Sequence, residues 1–202
     1  MKPMKNLLLM GLLSALGAGG ALAAERSHFT HFITRDGATL KDGDKVFRFA
    51  GIHAPELHRI EDDARGSCRA DPRGWGQYFK WPTAQEQQNW IQAMVQTGAK
   101  AQRVYVLSVQ QEFDKACGRE THILAPETAD GMPRLNEKAM RVYDNMIAEA
   151  DKQGLRLILP FIDHWWWWGG REQLAAFYHE KAEDFYRTDS KTFKAYLDVI
   201  RQ

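Results

Sequence analysis

Apolar positions occur along the chain in blocks of strand and helix length, separated by segments rich in charge, glycine and proline. One apolar block, Leu155 to Ile162, is followed directly by Asp163, His164 and the run Trp165 to Trp168. A nearly continuous apolar block of this length predicts a strand buried on both faces, as in a parallel sheet. Polar and aromatic groups at the carboxyl end of such a strand lie where α/β folds bind their ligands.

Two earlier blocks predict the other core strands. Residues Phe29 to Phe49 have alternating polarity with Asp-Gly turn dipeptides and predict a hairpin. The hairpin leads into a first core strand, Ala50-Gly51-Ile52, with His53 at its carboxyl end, and Gly51 predicts a close backbone approach. The block Ala101 to Val109 predicts the second core strand.

Helical periodicity separates these strands. Thr83-Ala84-Gln85-Glu86 is a capping box and predicts the start of a helix that ends near Gly98. Its apolar stripe comprises Trp90, Ile91, Met94 and Val95. A second helix is predicted from about Asn136 to Lys152, and a short third one from Glu172 to Tyr178. Asp189 or Ser190 caps a last helix, and its apolar positions are Phe193, Tyr196, Leu197 and Ile200.

A hairpin followed by three strand–helix units indicates an α/β fold with a parallel sheet and right-handed crossovers. Two long connections interrupt this order, from Ala54 to Pro82 and from Gln110 to Pro133. Connections of this length in compact domains are usually functional or mobile. The aromatic residues of the first connection, such as Trp75 and Trp81, are expected to anchor it or to wall a groove.

The first residues predict a secretory signal peptide. Lys2 and Lys5 precede an apolar run, and Ala21-Leu22-Ala23 provides small residues at the spacing that a signal peptidase requires. Cleavage after Ala23 leaves residues 24–202 as the mature domain, secreted or periplasmic, with no membrane segment after cleavage. Formal charge then falls from +1 to −1, and a near-neutral chain without a basic stripe argues against nucleic-acid binding.

The two cysteines, Cys68 and Cys117, both follow predicted strands. In an oxidising compartment they either pair as a disulfide or remain free, and the sequence leaves both open. They have no His or Cys partners at metal-ligand spacing, so no metal site is predicted. A glycine-rich phosphate loop is also absent from the sequence, and no cofactor is implied.

Several residues are candidates for ligand contact. Four adjacent indoles cannot all point into one core, so at least one of Trp165 to Trp168 is expected to line a groove. The alternative is that the tryptophans pack under neighbouring loops. Arg103 lies within a strand expected to be buried, where a guanidinium requires an acidic partner. It either orients a carboxylate near a site or forms a structural ion pair.

Four blocks of the sequence resemble secreted β-mannanases and related enzymes of glycoside hydrolase family 5. They are FITRDGATLKDGDKVFRFAGIH, AKAQRVYVLS, GLRLILPFIDHWWWWGG and FYRTDSKTFKAYLDVIRQ. The resemblance implies a partial (β/α)8 TIM barrel, namely its first three βα units preceded by a β-hairpin. It also implies retaining hydrolysis of a β-1,4-linked polysaccharide by two glutamates, whose carboxyl groups stand about 5–5.5 Å apart in such enzymes.

The family's catalytic motif is not found in the sequence, so both catalytic glutamates are expected beyond Gln202. Arg103 matches the family's arginine that holds the nucleophile's carboxylate, and His164 falls where the family lines its subsites. The implied substrate-binding set is His53, Arg103, Asp163, His164, Trp165, Trp166 and Trp168. The tryptophan run matches the family's aromatic loop only loosely.

The resemblance predicts a truncated, monomeric endo-glycanase, and two other functions compete with it. One is a non-catalytic carbohydrate-binding module built on a partial barrel. The other is local catalysis by Glu56, Glu127 or Asp163 in a different fold. Asp163 alone among these acids adjoins the tryptophans, and a hydrogen-bonding or orienting role suits it better than catalysis.

Overall fold

The computed structural model describes residues 27–61, 79–112, 114–115 and 118–202. The predicted signal peptide, Trp75 and both cysteines, Cys68 and Cys117, lie outside these residues. In chain order the elements are β1 (Ile33–Asp36), β2 (Thr39–Asp42), β3 (Lys45–Val46), β4 (His53–Ala54), β5 (Ile60–Glu61), β6 (Phe79–Lys80), α1 (Ala84–Gln96), β7 (Ala101–Val104), β8 (Ile123–Leu124), β9 (Arg134–Leu135), α2 (Glu137–Gln153), β10 (Arg156–Ile158), α3 (Arg171–Ala176) and α4 (Lys191–Arg201). Short 3-10 turns occupy Pro55–Leu57 and Ala182–Tyr186.

A parallel sheet forms the centre of the fold. Its strand order is β10-β7-β4, with β7 in the middle and α1 and α2 in the crossovers. The α/β class and the parallel arrangement of the predicted strands are therefore confirmed. One face of the sheet packs on α1 and α2, and Val104, Ile91 and Met146 belong to the same cluster of buried apolar side chains.

The amino-terminal segment forms an antiparallel sheet in the order β1-β2-β3. Its two turns contain the Asp-Gly dipeptides at Gly37 and Gly43, as the sequence predicts, but a third strand extends the expected hairpin. The first core strand is also displaced: β4 begins at His53, where the prediction placed the strand's end. Gly51 does approach another backbone closely, since a Cβ atom there would overlap the carbonyl oxygen of Ala101.

The ends of the helices follow the sequence signals closely. Thr83 and Glu86 form both hydrogen bonds of the capping box at α1. Asn136 caps α2 through its side chain, and Gly154 ends this helix in the left-handed conformation with φ of 74°. Ser190, rather than Asp189, caps α4 by accepting a hydrogen bond from the backbone N–H of Phe193.

The buried faces of two helices differ from the prediction. Trp90 is 36% exposed on α1, whereas Gln87 is buried beside Ile91. Gln87 is satisfied there because its amide donates to the carbonyl oxygens of Leu57 and Val142. In α4 the buried positions are Thr192, Ala195 and Val199, which are shifted by one residue from the predicted stripe.

The described residues of the long connections include short antiparallel strands that the sequence analysis did not predict. In the first connection β5 pairs with β6, and β8 of the second pairs with β9, which directly follows that connection. Each strand has two residues, which is too short for an alternating pattern to be visible in the sequence.

The strand predicted from Leu155 to Ile162 is shorter than expected. β10 ends at Ile158, two residues before Pro160, which has no N–H to donate to a ladder. It is an edge strand, and Ile158 is 45% exposed, so the prediction of burial on both faces is wrong. Within the described residues, no helix is long and apolar enough to cross a membrane.

Candidate functional site

The carboxyl ends of the parallel strands bring two predicted site residues together. His53 on β4 pairs in register with Arg103 on β7, and the two side chains are in contact. Arg103 Nη1 lies 3.1 Å from both ring nitrogens of His53, and the His53 Nδ1 lies 3.1 Å from the Arg103 carbonyl oxygen. The guanidinium also lies over the Tyr105 ring, 5.9 Å from its centroid.

Arg103 is exposed, which corrects the prediction of a buried guanidinium with an acidic partner. It lies on the sheet face opposite Val104. The contacts found for Arg103 in the described residues go to His53 and Tyr105, and none is to a carboxylate. Its positive charge is therefore available to an anionic group at this exposed position.

Asp163 forms the centre of the polar site. Its Oδ2 accepts a hydrogen bond of 2.9 Å from the Tyr105 hydroxyl, and its Oδ1 accepts one of 3.2 Å from the backbone N–H of Trp165. Burial, together with this carboxylate, raises the pKa of Tyr105 well above its usual range. Tyr105 therefore remains a neutral donor, and Asp163 is a hydrogen-bonded, orienting group.

Residues 163–171 form what we call the tryptophan loop, and its indoles have different environments. Trp165 is 59% exposed and Trp166 is 46% exposed, whereas Trp168 is only 4% exposed. Trp167 is partly buried, with its ring 5.8 Å from that of Tyr105. The loop therefore presents two indoles to solvent beside Asp163, and Trp165 and Trp166 keep their candidate role.

Trp168 belongs to the core, and we do not retain it as a ligand contact. Its Nε1 donates a 3.1 Å hydrogen bond to the carbonyl oxygen of Val106. One face of its ring is covered by the Arg59 guanidinium at 4.4 Å, and Tyr105 packs on it edge-on at 4.8 Å. The ring anchors the loop that carries its exposed neighbours.

The backbone of the tryptophan loop is fixed by hydrogen bonds from Val109 and Gln111, which lie in the segment after β7. The Val109 N–H donates to the Gly169 carbonyl at 2.9 Å, and the Gln111 side chain donates to the Trp167 carbonyl at 3.2 Å. Gly169 has φ of 86°, and a Cβ atom there would overlap the Val109 carbonyl oxygen. Only glycine permits this crossing, which explains the Gly-Gly pair after the tryptophans.

His164, the last predicted subsite residue, is exposed and packs edge-on against Trp165 with ring centroids 5.1 Å apart. It has no hydrogen bond to Asp163 or Tyr105 among the described residues. The other acids proposed for local catalysis lie apart from the site. Glu56 is exposed in the 3-10 turn after β4, and Glu127 forms an exposed ion pair with Arg134.

A buried charge cluster lies beneath the tryptophan loop, and sequence reasoning missed it. Arg59 is paired with Glu61, and Arg119 lies 2.6 Å from Glu61 and 2.7 Å from Asp114. All four side chains are nearly inaccessible to solvent. The cluster contains residues from both long connections, and Arg59 of the cluster packs on Trp168 of the tryptophan loop. The three loops therefore contact one another through this cluster.

Two buried histidines form a second polar layer. The His58 Nε2–H donates to the Tyr105 carbonyl at 2.8 Å, so its Nδ1 accepts from the His122 Nε2–H at 2.9 Å. His122 Nδ1 accepts in turn from the Ser108 N–H at 3.1 Å. Burial lowers the pKa of His58 to about 4 and that of His122 well below its usual value, so both rings are neutral.

The chemistry of this arrangement is binding and orientation. Two flat apolar indoles, one oriented carboxylate, a neutral phenol and an exposed guanidinium suit a neutral, hydroxyl-rich ligand. Across the described part of the chain, no three His, Cys, Asp or Glu side chains are grouped to hold a metal ion. Tyr105 was not predicted as a site residue, although its position two residues after Arg103 placed it on the same strand face.

No protein-family model matches the chain, and no curated protein matches its sequence. Solved structures do share its fold. The endo-1,4-beta-mannanase from Rhizomucor miehei aligns with a TM-score of 0.63 at 15% identity, over 84% of this chain and 40% of that one. The glycoside hydrolase family 5 mannosidase from Rhizomucor miehei aligns with a TM-score of 0.58 at 17% identity, over 87% and 43%. The chain thus spans less than half the length of either structure.

Proposed function

We propose that the chain is the amino-terminal part of a (β/α)8 TIM-barrel glycoside hydrolase, a secreted retaining endo-β-1,4-glycanase. Its substrate class is a mannan- or cellulose-type polysaccharide, and the two catalytic glutamates lie outside these 202 residues. The fold shared with an endo-1,4-beta-mannanase and a mannosidase, over 40% and 43% of their chains, supports this proposal. Residues 1–23 act as the signal peptide, residues 24–202 are the enzyme portion, and the protein is a monomer.

The observation that carries the proposal is the pair of exposed indoles, Trp165 and Trp166, on a fixed loop beside Asp163. Exposing two large apolar rings is unfavourable unless a ligand covers them. The apolar face of a pyranose ring stacks on an indole, while Asp163 and Tyr105 lie within the same site for its hydroxyl groups. The position at the carboxyl ends of parallel strands is the usual ligand-binding end of such sheets.

Arg103 has a distinct role in this proposal. Its exposed guanidinium contacts the side chains of His53 and Tyr105. A planar guanidinium binds a carboxylate through two parallel hydrogen bonds. We infer that Arg103 orients the carboxylate of the nucleophilic glutamate in the whole enzyme and is a positioning residue.

A non-catalytic sugar-binding role is the second candidate, and Asp163 favours it for the chain taken alone. Retaining hydrolysis requires two carboxyl groups across the scissile bond. Among the described residues that form the site, Asp163 is the one carboxylate, and it is held by two hydrogen bonds. We therefore expect the 202-residue chain to bind oligosaccharide without hydrolysing it.

Calorimetric titration of the chain with mannohexaose and cellohexaose tests the proposed function. Trp165→Ala and Trp166→Ala are each expected to weaken binding by about fivefold or more, because each removes about 1 kcal/mol or more of stacking. Trp90→Ala is the matched control, since it removes a partly exposed indole from α1, away from the site. Absence of binding by the unmodified chain, or equal losses in all three variants, would contradict the proposal.

A further inference from the structure

A separate pocket of about 450 Å³ lies next to the tryptophan loop. Its walls come from the segment after β7, the segment after β8, and α3. The lining includes the amides of Gln110, Gln111 and Gln173, the carboxylate of Glu112, and the apolar side chains of Ala125 and Phe177. Volumes of roughly 300–1,000 Å³ are usual for small-molecule sites, so the pocket has room for one ring-sized ligand.

Two amides in the pocket have a defined orientation. Gln110 Oε1 accepts a 2.9 Å hydrogen bond from the Ala125 N–H, and Gln173 Oε1 accepts one of 2.9 Å from the Gly170 N–H. A backbone N–H can only donate, so the bonded atoms are the oxygens and the opposite ends are the NH2 groups. In the described part of the chain neither NH2 group has a hydrogen-bond partner, which leaves two oriented donors.

Two acceptors complement these donors. Gln111 donates its NH2 group to the Trp167 carbonyl, so its Oε1 is left as an acceptor. The carboxylate of Glu112 is exposed and accepts hydrogen bonds only. Phe177 adds a partly buried aromatic ring. A ligand that matches this lining is uncharged, carries hydroxyl groups that both donate and accept, and has an apolar face.

The pocket is held in shape before any ligand arrives. The Gln110 N–H donates to the Ile123 carbonyl at 2.8 Å, and the Gln111 N–H donates to Asp114 Oδ2 at 2.7 Å. Asp114 is itself fixed by Arg119 in the buried charge cluster. Binding therefore requires little ordering of the backbone, which favours affinity.

We propose that this amide pocket is a saccharide subsite that binds one sugar unit beyond those that stack on Trp165 and Trp166. The inference rests on the proposed function, in which sugar units stack on Trp165 and Trp166. The hydrogen bond from Gln111 to the Trp167 carbonyl places the pocket beside the loop that carries these indoles. An anionic ligand is disfavoured by Glu112. A short oligosaccharide occupies the indoles alone, whereas a longer one also reaches the amides.

Gln110→Glu and Gln173→Glu test the subsite with minimal change of shape. Each keeps the oxygen that accepts the backbone N–H and removes the NH2 donor of the same side chain. Gln85→Glu on α1 is the matched control, since it adds the same charge to an exposed helix residue outside the pocket. Titrations use the full chain with mannobiose and with mannohexaose, each at low and at high salt.

Each pocket variant is expected to bind mannohexaose about three- to tenfold more weakly, with mannobiose affinity unchanged, because one hydrogen bond is lost. The loss persists at high salt, since the sugar is uncharged. Equal affinity of the variants and the unmodified chain for mannohexaose would overturn the subsite while leaving the proposed function intact. A chain that binds neither sugar would overturn both.

A measurement on the unmodified chain covers the case in which a variant does not fold. The side-chain amide NMR signals of Gln110 and Gln173 are expected to shift on addition of mannohexaose, and those of Gln85 are not. Signals that stay unchanged at saturating mannohexaose, while the Trp165 and Trp166 indole signals shift, would place the sugar on the tryptophan loop only and refute the subsite.

Discussion

Residues next to each other in sequence have opposite environments in this protein, and their neighbours in space explain why. Trp165 is exposed, whereas Trp168 lies under the Arg59 guanidinium and donates a hydrogen bond to the Val106 carbonyl oxygen. The residue types in the run do not indicate which of these two indoles is exposed and which is buried. The same holds for His58, which is buried and neutral although most histidines are at least partly exposed.

His58 provides a test at the residue scale. Its pKa is lowered by burial from 6.5 to about 4, so below pH 6.5 the unfolded chain binds a proton that the folded chain does not. The contribution of His58 to the free energy of unfolding is therefore fully present above pH 6.5. It is lost as the pH decreases towards 4, which lowers the free energy of unfolding by about 3 kcal/mol. The measurement is the free energy of unfolding in urea across this range.

His58→Gln separates this effect from general acid unfolding. The variant is expected to be less stable at neutral pH but to have a shallower dependence on pH below 6.5, because the titrating ring is gone. His31→Gln replaces an exposed histidine and serves as the control. Its free energy of unfolding is expected to depend on pH as steeply as that of the unmodified chain. An unchanged slope in His58→Gln would contradict the assignment.

At the scale of elements, local signals determined where helices begin and end. Thr83 and Glu86 cap α1 as the sequence predicts, Gly154 ends α2, and Ser190, one of the two residues predicted for this role, caps α4. Side-chain caps act within three or four residues, so the sequence contains all the information they need. The predicted burial of Trp90 failed because the inner face of α1 includes the polar Gln87, whose amide is satisfied by carbonyl oxygens of distant segments.

The tryptophan loop depends on Gly169, and a pair of glycine substitutions tests this. Gly169→Ala is expected to displace the loop, because the left-handed φ of 86° and the Val109 carbonyl both exclude a Cβ atom. Gly98→Ala is the control, since Gly98 has φ of 83° but no atom within 4 Å of the added methyl group.

We expect Gly169→Ala to lower stability by more than the control and to abolish oligosaccharide binding, while Gly98→Ala binds normally. Gly98→Ala is expected to lower the free energy of unfolding by about 1 kcal/mol, because alanine is strained at the left-handed φ of this position. Chemical denaturation and calorimetric titration provide the two measurements. Full binding by Gly169→Ala would show that the indoles do not need this loop geometry.

On the scale of the whole molecule, the three strand–loop connections meet in one buried cluster of charge. Arg59 and Glu61 come from the first, Arg119 and Asp114 from the second, and Trp168 from the third. Burial lowers the pKa of Arg59 to about 10, which leaves it charged at neutral pH. Opposite charges within the cluster compensate for the hydration that each charge loses on burial. Each connection therefore depends on charged partners that the other connection provides.

Arg59→Leu tests this coupling. Removal of one partner from a buried ion pair costs about 3–5 kcal/mol, and here it also uncovers one face of Trp168. Arg187→Leu is the control, because Arg187 pairs with Asp184 and Asp189 on the surface, where little change is expected. Urea unfolding measures stability, and the near-ultraviolet circular dichroism of the indoles reports the loop. Equal stability of the two variants would refute the coupling.

The sequence by itself determined the features that depend on near neighbours: the order of the core strands and the helices, the cap at Thr83, a cap at Asp189 or Ser190, and the turns at the Asp-Gly dipeptides. Tertiary structure alone decided which indoles face solvent, that Arg103 is exposed beside His53, and that Arg59 and Arg119 share Glu61. The physical reason is range. Caps and turns satisfy backbone groups a few residues away, whereas burial and ion pairing depend on segments that the fold brings together from distant parts of the chain.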